Sequence, residues 1–176
     1  MQQQLIYFFI AIGLSMDAFS LAIAYGTNNI EKKKILILSI SVGLFHFFMP
    51  VLGSLIGQKM NYLVTDANKV FAIILFIIAI QMYMSRKEEK KGSITNILSI
   101  ILFSLTVSLD SFSVGLGLGL MKKTIFSAST IFSITSFIFT LIGLILGKKL
   151  SERFGLKATY LGIIILIVIA IKYLVT

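Results

Sequence analysis

Residues 13–26, GLSMDAFSLAIAYG, place a carboxylate, Asp17, inside a long apolar run. Residues 106–119, TVSLDSFSVGLGLG, do the same with Asp110. Insertion of an acid at the centre of a membrane helix costs ~2.5–3.5 kcal/mol, and more if it faces lipid. A chain that repeats such a cost in matching contexts needs both acids facing an interior, paired or hydrated.

The surroundings of these stretches set the fold class. Of 176 residues, 57% are hydrophobic and only 13% are charged, against roughly 25% charged in a soluble domain. Charge clusters divide the chain into six apolar segments, at approximately 5–26, 35–57, 67–84, 95–120, 124–147 and 157–176. Each is near the roughly 20 residues a helix needs to cross a bilayer, and a helix satisfies its own backbone in lipid. The expectation is an all-α integral membrane protein with six transmembrane helices. The first segment has no basic flank and no small-residue cleavage site, so it reads as a retained helix rather than a signal peptide.

The formal net charge of +9 does not indicate nucleic acid, because Lys and Arg sit in short segments between apolar runs. Loops 27–34, 85–94 and 148–157 carry three, four and four of them. The N-terminus, 58–69, 121–123 and the tail carry none, two, two and one. That bias orients the chain in the plasma membrane with both termini extracytoplasmic. Absence of cysteine excludes disulfides and thiolate metal sites.

Internal similarity divides the chain into a first three-helix repeat, 1–84, a cytoplasmic connector, 85–94, and a second repeat, 95–176. Ser15-Met16-Asp17-Ala18-Phe19-Ser20 aligns with Ser108-Leu109-Asp110-Ser111-Phe112-Ser113 at an offset of 93. Ser39, Gly43, His46, Pro50, Gly53 and Gly57 share their spacing with Ser129, Ser133, Ser136, Thr140, Gly143 and Gly147 at an offset of 90. Three spans per half is an odd number, so the second half must enter the membrane from the opposite side. The expected architecture is therefore two inverted three-helix repeats, which in transporters place substrate near the midplane.

Helical spacing puts Gly13, Asp17, Ser20 and Ala24 on one face, and Thr106, Asp110, Ser113 and Gly117 on the matching one. Each acid has a hydroxyl one turn away, Ser20 or Ser113. His46, the one histidine, lies on the polar stripe of the second span, one turn before Pro50, which could kink or open that helix. Carboxylates, hydroxyls and an imidazole suit a fairly hard divalent cation such as Mn²⁺. The candidate metal-site residues are thus Asp17, Asp110, Ser20, Ser113 and His46. The same residues could instead form a proton relay or a structural hydrogen-bonded dyad. Tyr83, Tyr160 and Tyr173 sit near span ends, as interfacial anchors do.

The stretches SMDAFSLAIAYG, GLFHFFMPVLGSLIG and VSLDSFSVGLGLG resemble the MntP-type manganese efflux pump family, which includes related sporulation membrane proteins. The last helix, ATYLGIIILIVIAIKYL, is similar too. The resemblance implies a six-helix exporter of Mn²⁺ in which Asp17 and Asp110 are essential. Two positions depart from the family pattern: His46, near where an amide or acid is frequent, and Thr159, where an acid is common.

The sequence thus points to a secondary transporter with a divalent cation as substrate, the lipid bilayer as surroundings and no permanently bound cofactor. No P-loop is present and no nucleophile–base pair is apparent, which argues against ATP-driven pumping within this chain and against an enzyme. Two other classes stay open at this point: a non-transporting structural membrane protein, and an exporter of another small solute. Whether the chain works alone or as a homo-oligomer is not written in the sequence.

Overall fold

A computed structural model of the protein describes residues 2–27, 30–85, 96–147, 149 and 152–175. The described residues form seven α-helices and no strand: α1 (Gln2–Gly26), α2 (Lys32–Met60), α3 (Ala67–Ser85), α4 (Ile97–Val107), α5 (Leu109–Leu120), α6 (Ile125–Leu146) and α7 (Glu152–Val175). Five of them are each long and apolar enough to cross a membrane, and α4 with α5 makes a sixth span if that bent pair counts as one. Apart from Ser85, the connector 85–94 lies outside the described residues.

One local expectation is corrected. The apolar run 95–120 is not one continuous helix: it breaks at Ser108 and bends by 40° between α4 and α5. The backbone there turns at φ −95°, ψ 0°, and the Ser108 hydroxyl donates to the Leu105 carbonyl at 3.0 Å. A serine that bonds the preceding turn competes with the regular helical ladder, which explains how an apolar stretch stops being straight. In α2, Pro50 lies inside a single unbroken helix.

Local signals elsewhere agree with the sequence. Asn96 opens α4 through a capping box, its Oδ1 accepting the Ser99 N–H at 2.9 Å while Ser99 Oγ accepts the Asn96 N–H at 3.2 Å. Asp66 stands before α3 and accepts the Lys69 N–H at 3.2 Å. The α5–α6 turn passes through Lys122 at φ 51°.

Large apolar side chains line the outside of the bundle, such as Leu44, Phe48, Leu52 and Leu55 along α2 and Ile73, Ile77, Ile80 and Met84 along α3. Lipid is as apolar as these side chains, so they do not drive the helices together. Association rests on close van der Waals packing at small residues. Here α1 packs on α6, α2 on α5 and α3 on α7, with α1 also against α7 and α2 against α6.

The first two of these contacts correspond residue for residue. Gly53 lies on the Phe112 backbone and Gly143 on that of Phe19; Gly57 lies on Leu116 and Gly147 on Ile23. Gly119 meets Ser54 as Gly26 meets Leu144. Every one of these pairs is related by the offsets of 93 and 90 found in the sequence. The backbones approach so closely that a Cβ at any of these glycines would collide with a neighbouring main chain or Cβ. A buried cluster of Tyr7, Ile10, Leu14, Phe71, Leu118 and Leu166, among others, then joins α1, α3, α5, α6 and α7.

Candidate functional site

Helix α1 is packed on most of its faces: from Ile10 to Phe19 every residue is buried except Ile12 and Asp17. Asp17 is the sixteenth of its 25 residues and is partly exposed, an acid set where its own helix is otherwise enclosed. One turn to either side, Gly13 abuts Leu166 and Gly162 of α7, and the Ser20 hydroxyl lies against Gly155 of the same helix. The face that carries Asp17 therefore runs along α7.

Asp110 is the second residue of α5, in the first turn after the break at Ser108. The free N–H groups of a helix start favour a negative charge at that position. At about 1.5 Å per residue, α4 and α5 are each roughly 17 Å long, so Asp110 falls at the middle of the bent span. Asp110 is also partly exposed, and it lies close enough to Asp17 to feel its charge. The structure thus brings the two motif acids, 93 residues apart in the chain, into one electrostatic neighbourhood. Ser113, one turn beyond Asp110, is half-buried and its hydroxyl donates to the Leu109 carbonyl at 3.4 Å.

His46 is completely buried in α2. Its Nδ1 lies 2.9 Å from the Val42 carbonyl oxygen. That oxygen can only accept, so Nδ1 carries the proton, and Nε2 of the neutral ring is left as an acceptor. Nε2 has no hydrogen-bond partner among the described residues. No group of three or more acidic, histidine or cysteine side chains gathers into a metal-holding cluster among the described residues. Asp110 thus stands within reach of the Asp17 charge, and His46 does not make a three-ligand group with the two acids among the described residues.

Several polar side chains outside the candidate metal-site set join the picture. Ser15 and Ser136 hydrogen-bond through their hydroxyls at 2.9 Å, buried between α1 and α6. Ser104, Ser111, Ser129 and Thr140 are buried with hydroxyls that lack a partner among the described residues. Ser104, Ser108 and Ser111 recur at helical spacing, which is the signal that marks them in the sequence. Thr159 is buried and returns its hydroxyl to the Gly155 carbonyl at 3.3 Å, so it is satisfied within α7. Two carboxylates with hydroxyl-rich neighbours, free of any lysine or arginine in the same helical turns, can chemically hold a hard cation or protons.

Over residues 29–174 the chain matches the model of a family described as "Putative manganese efflux pump". A protein of Bacillus pumilus named "Putative manganese efflux pump MntP" is 36% identical over 167 residues, which is 93% of this chain and 91% of the relative. Proteins of the same name from Methanosphaera stadtmanae and Desulforamulus reducens are 33% and 32% identical, each covering 94% of this chain and 95% of the relative. No solved structure matches the chain significantly.

Proposed function

Because the chain belongs to the MntP manganese efflux pump family, a family of transporters and not of enzymes, we propose that it is a secondary transporter exporting Mn²⁺ from the cytoplasm. Asp17 and Asp110 form the cation site near the middle of the membrane. Ser20 and Ser113 assist as neutral oxygen donors, and His46 acts beside the site as a polar group of α2. The observation that carries this reading is that Asp110, at the break of its span, stands within reach of the Asp17 charge. Like charges in a low-dielectric interior repel unless a cation or protons stand with them, and a dication neutralises both at once.

The broken span supports the same reading. Discontinuous helices in transporters put helix ends and freed polar groups at the substrate site, and Asp110 lies one residue beyond Val107–Leu109, where α4 gives way to α5. Carboxylate and hydroxyl oxygens without thiolate favour Mn²⁺ and similar hard cations over soft ones.

The matching contacts of α1 on α6 and α2 on α5 support two inverted three-helix repeats, 1–84 and 95–176, whose helices pack across the halves rather than within them. Rocking of one repeat against the other opens the acid pair to each side in turn, driven by an ion or proton gradient. With the lysine-rich segments in the cytoplasm, both termini lie outside the cell membrane. The test is manganese content in a cell stripped of its own exporters. Expression of this chain lowers it, and Asp17→Asn or Asp110→Asn does not.

A further inference from the structure

We infer that Ser15–Ser136 and Ser108–His46 are alternative clasps of one switch, closed in turn as the acid pair changes the side to which it opens. The inference takes its functional meaning from the transport reading above, but its geometry and its test stand apart from it.

The offsets that relate the halves make Ser108 the counterpart of Ser15, and His46 the counterpart of Ser136. The backbone contacts around them confirm the correspondence: Gly53 on Phe112 matches Gly143 on Phe19, and Gly57 on Leu116 matches Gly147 on Ile23. The α2–α5 contact is built as the α1–α6 contact is, so Ser108 and His46 belong opposite one another as Ser15 and Ser136 do.

The two pairs are nonetheless in different states. Ser15 and Ser136 are bonded at 2.9 Å, and α1 runs unbroken through Ser15. Ser108 instead donates to the Leu105 carbonyl of its own helix, His46 Nε2 is left without a partner, and the span is broken and bent at Ser108. A serine has one proton to donate. Ser108 can give it to Leu105, as at the break, or to the bare Nε2 of His46, whose Nδ1 proton is already committed to Val42. A buried acceptor with no partner is a standing cost that the second choice removes.

Exchange of roles between repeats is what alternating access asks of related halves. In the opposite state the Ser108 hydroxyl donates to His46 Nε2 and the α4–α5 span straightens. Ser15 then separates from Ser136, and α1 breaks in the turn that precedes Asp17. Ser15 and Ser108 each lie two residues before their acid, so each clasp sets the local backbone of one carboxylate. All four are positioning residues rather than ligands.

His46 is the one histidine in the chain, which makes nitrogen NMR of the full-length protein, labelled with ¹⁵N-histidine and free of manganese, a direct readout. Because the chain has no cysteine, a Ser15→Cys/Ser136→Cys variant oxidised to a disulfide pins the first clasp and gives the reference signal of an unbonded Nε2. Ser15→Ala/Ser136→Ala releases that clasp and moves the Nε2 resonance upfield, as expected for a nitrogen that accepts a hydrogen bond. Adding Ser108→Ala abolishes the shift.

An Nε2 resonance that is the same in the pinned and released proteins overturns the inference. So does an upfield shift that persists without the Ser108 hydroxyl. Should the released variant fail to fold, Ser15→Ala alone replaces it: the same upfield shift is expected, and its absence overturns the switch. Manganese flux measured on the wild-type protein separates the two claims. Flux without a response at His46 removes the switch alone, and a response without flux removes the transport reading alone.

Discussion

Ser15 and Ser136 are joined hydroxyl to hydroxyl at 2.9 Å in the buried contact between α1 and α6. The hydrocarbon of a bilayer offers neither hydroxyl a hydrogen-bonding partner. Interhelical bonds of this kind average about 0.6 kcal/mol in membranes. Ser15→Ala and Ser136→Ala should each lower stability by about that amount, and the double variant by no more than either alone. Denaturant unfolding in bicelles checks this; full additivity would show that the hydroxyls act independently.

The glycines of the helix crossings differ in what a side chain would meet. At Gly147 a Cβ would lie 2.5 Å from the Ile23 carbonyl oxygen, backbone against backbone, and Gly57 faces Leu116 in the same way. At Gly155 the nearest atom is the Ser20 hydroxyl at 3.0 Å, a side chain that can turn aside. Gly57→Ala and Gly147→Ala should therefore destabilise by about 1–3 kcal/mol, as overpacking does. Gly155→Ala should cost less than either, and a common thermal shift for all three would contradict the packing described.

Asp66 offers a pH-dependent check outside the membrane. Its exposed carboxylate accepts the Lys69 N–H and lies 3.0 Å from Lys69 Nζ. The Lys69 side chain, with its backbone N–H, holds the Asp66 pKa below the usual carboxylate range. A depressed carboxylate contributes stability that is present above its unfolded pKa, about 3.9, and lost as pH falls through the folded value. Asp66→Asn should thus be slightly less stable than wild type at neutral pH and indistinguishable at strongly acidic pH. A difference that grows in acid would be the wrong sign.

Much of this was legible in the residues themselves. The recurrence of Ser-x-Asp-x-Phe-Ser located both acids, and the spacing of Gly53 and Gly57 against Gly143 and Gly147 marked the faces that pack. Periodicity tells which face is small, however, and not which helix lies on it. That α1 meets α6 and α2 meets α5 follows only from the backbone contacts at Gly26, Gly53, Gly57, Gly119, Gly143 and Gly147.

The break at Ser108 was hidden for a different reason. Residues 97–120 are apolar on both sides of it, and hydropathy does not register a hydroxyl that turns back onto Leu105. Pro50, by contrast, lies within α2, which is one continuous helix. The spacing puts His46 on the stripe of α2 that is buried, but its bare Nε2 depends on the tautomer fixed by Val42, which no sequence pattern records.

Mn²⁺ flux through the purified chain in sealed vesicles tests most directly whether Asp17 and Asp110 together carry manganese. Wild type should move Mn²⁺ at a rate that each of Asp17→Asn and Asp110→Asn lowers at least about tenfold, which corresponds to about 1.4 kcal/mol or more of lost stabilisation. The double variant should be no slower than the poorer single one, since both acids serve one site. Undiminished flux in the double variant would contradict the account.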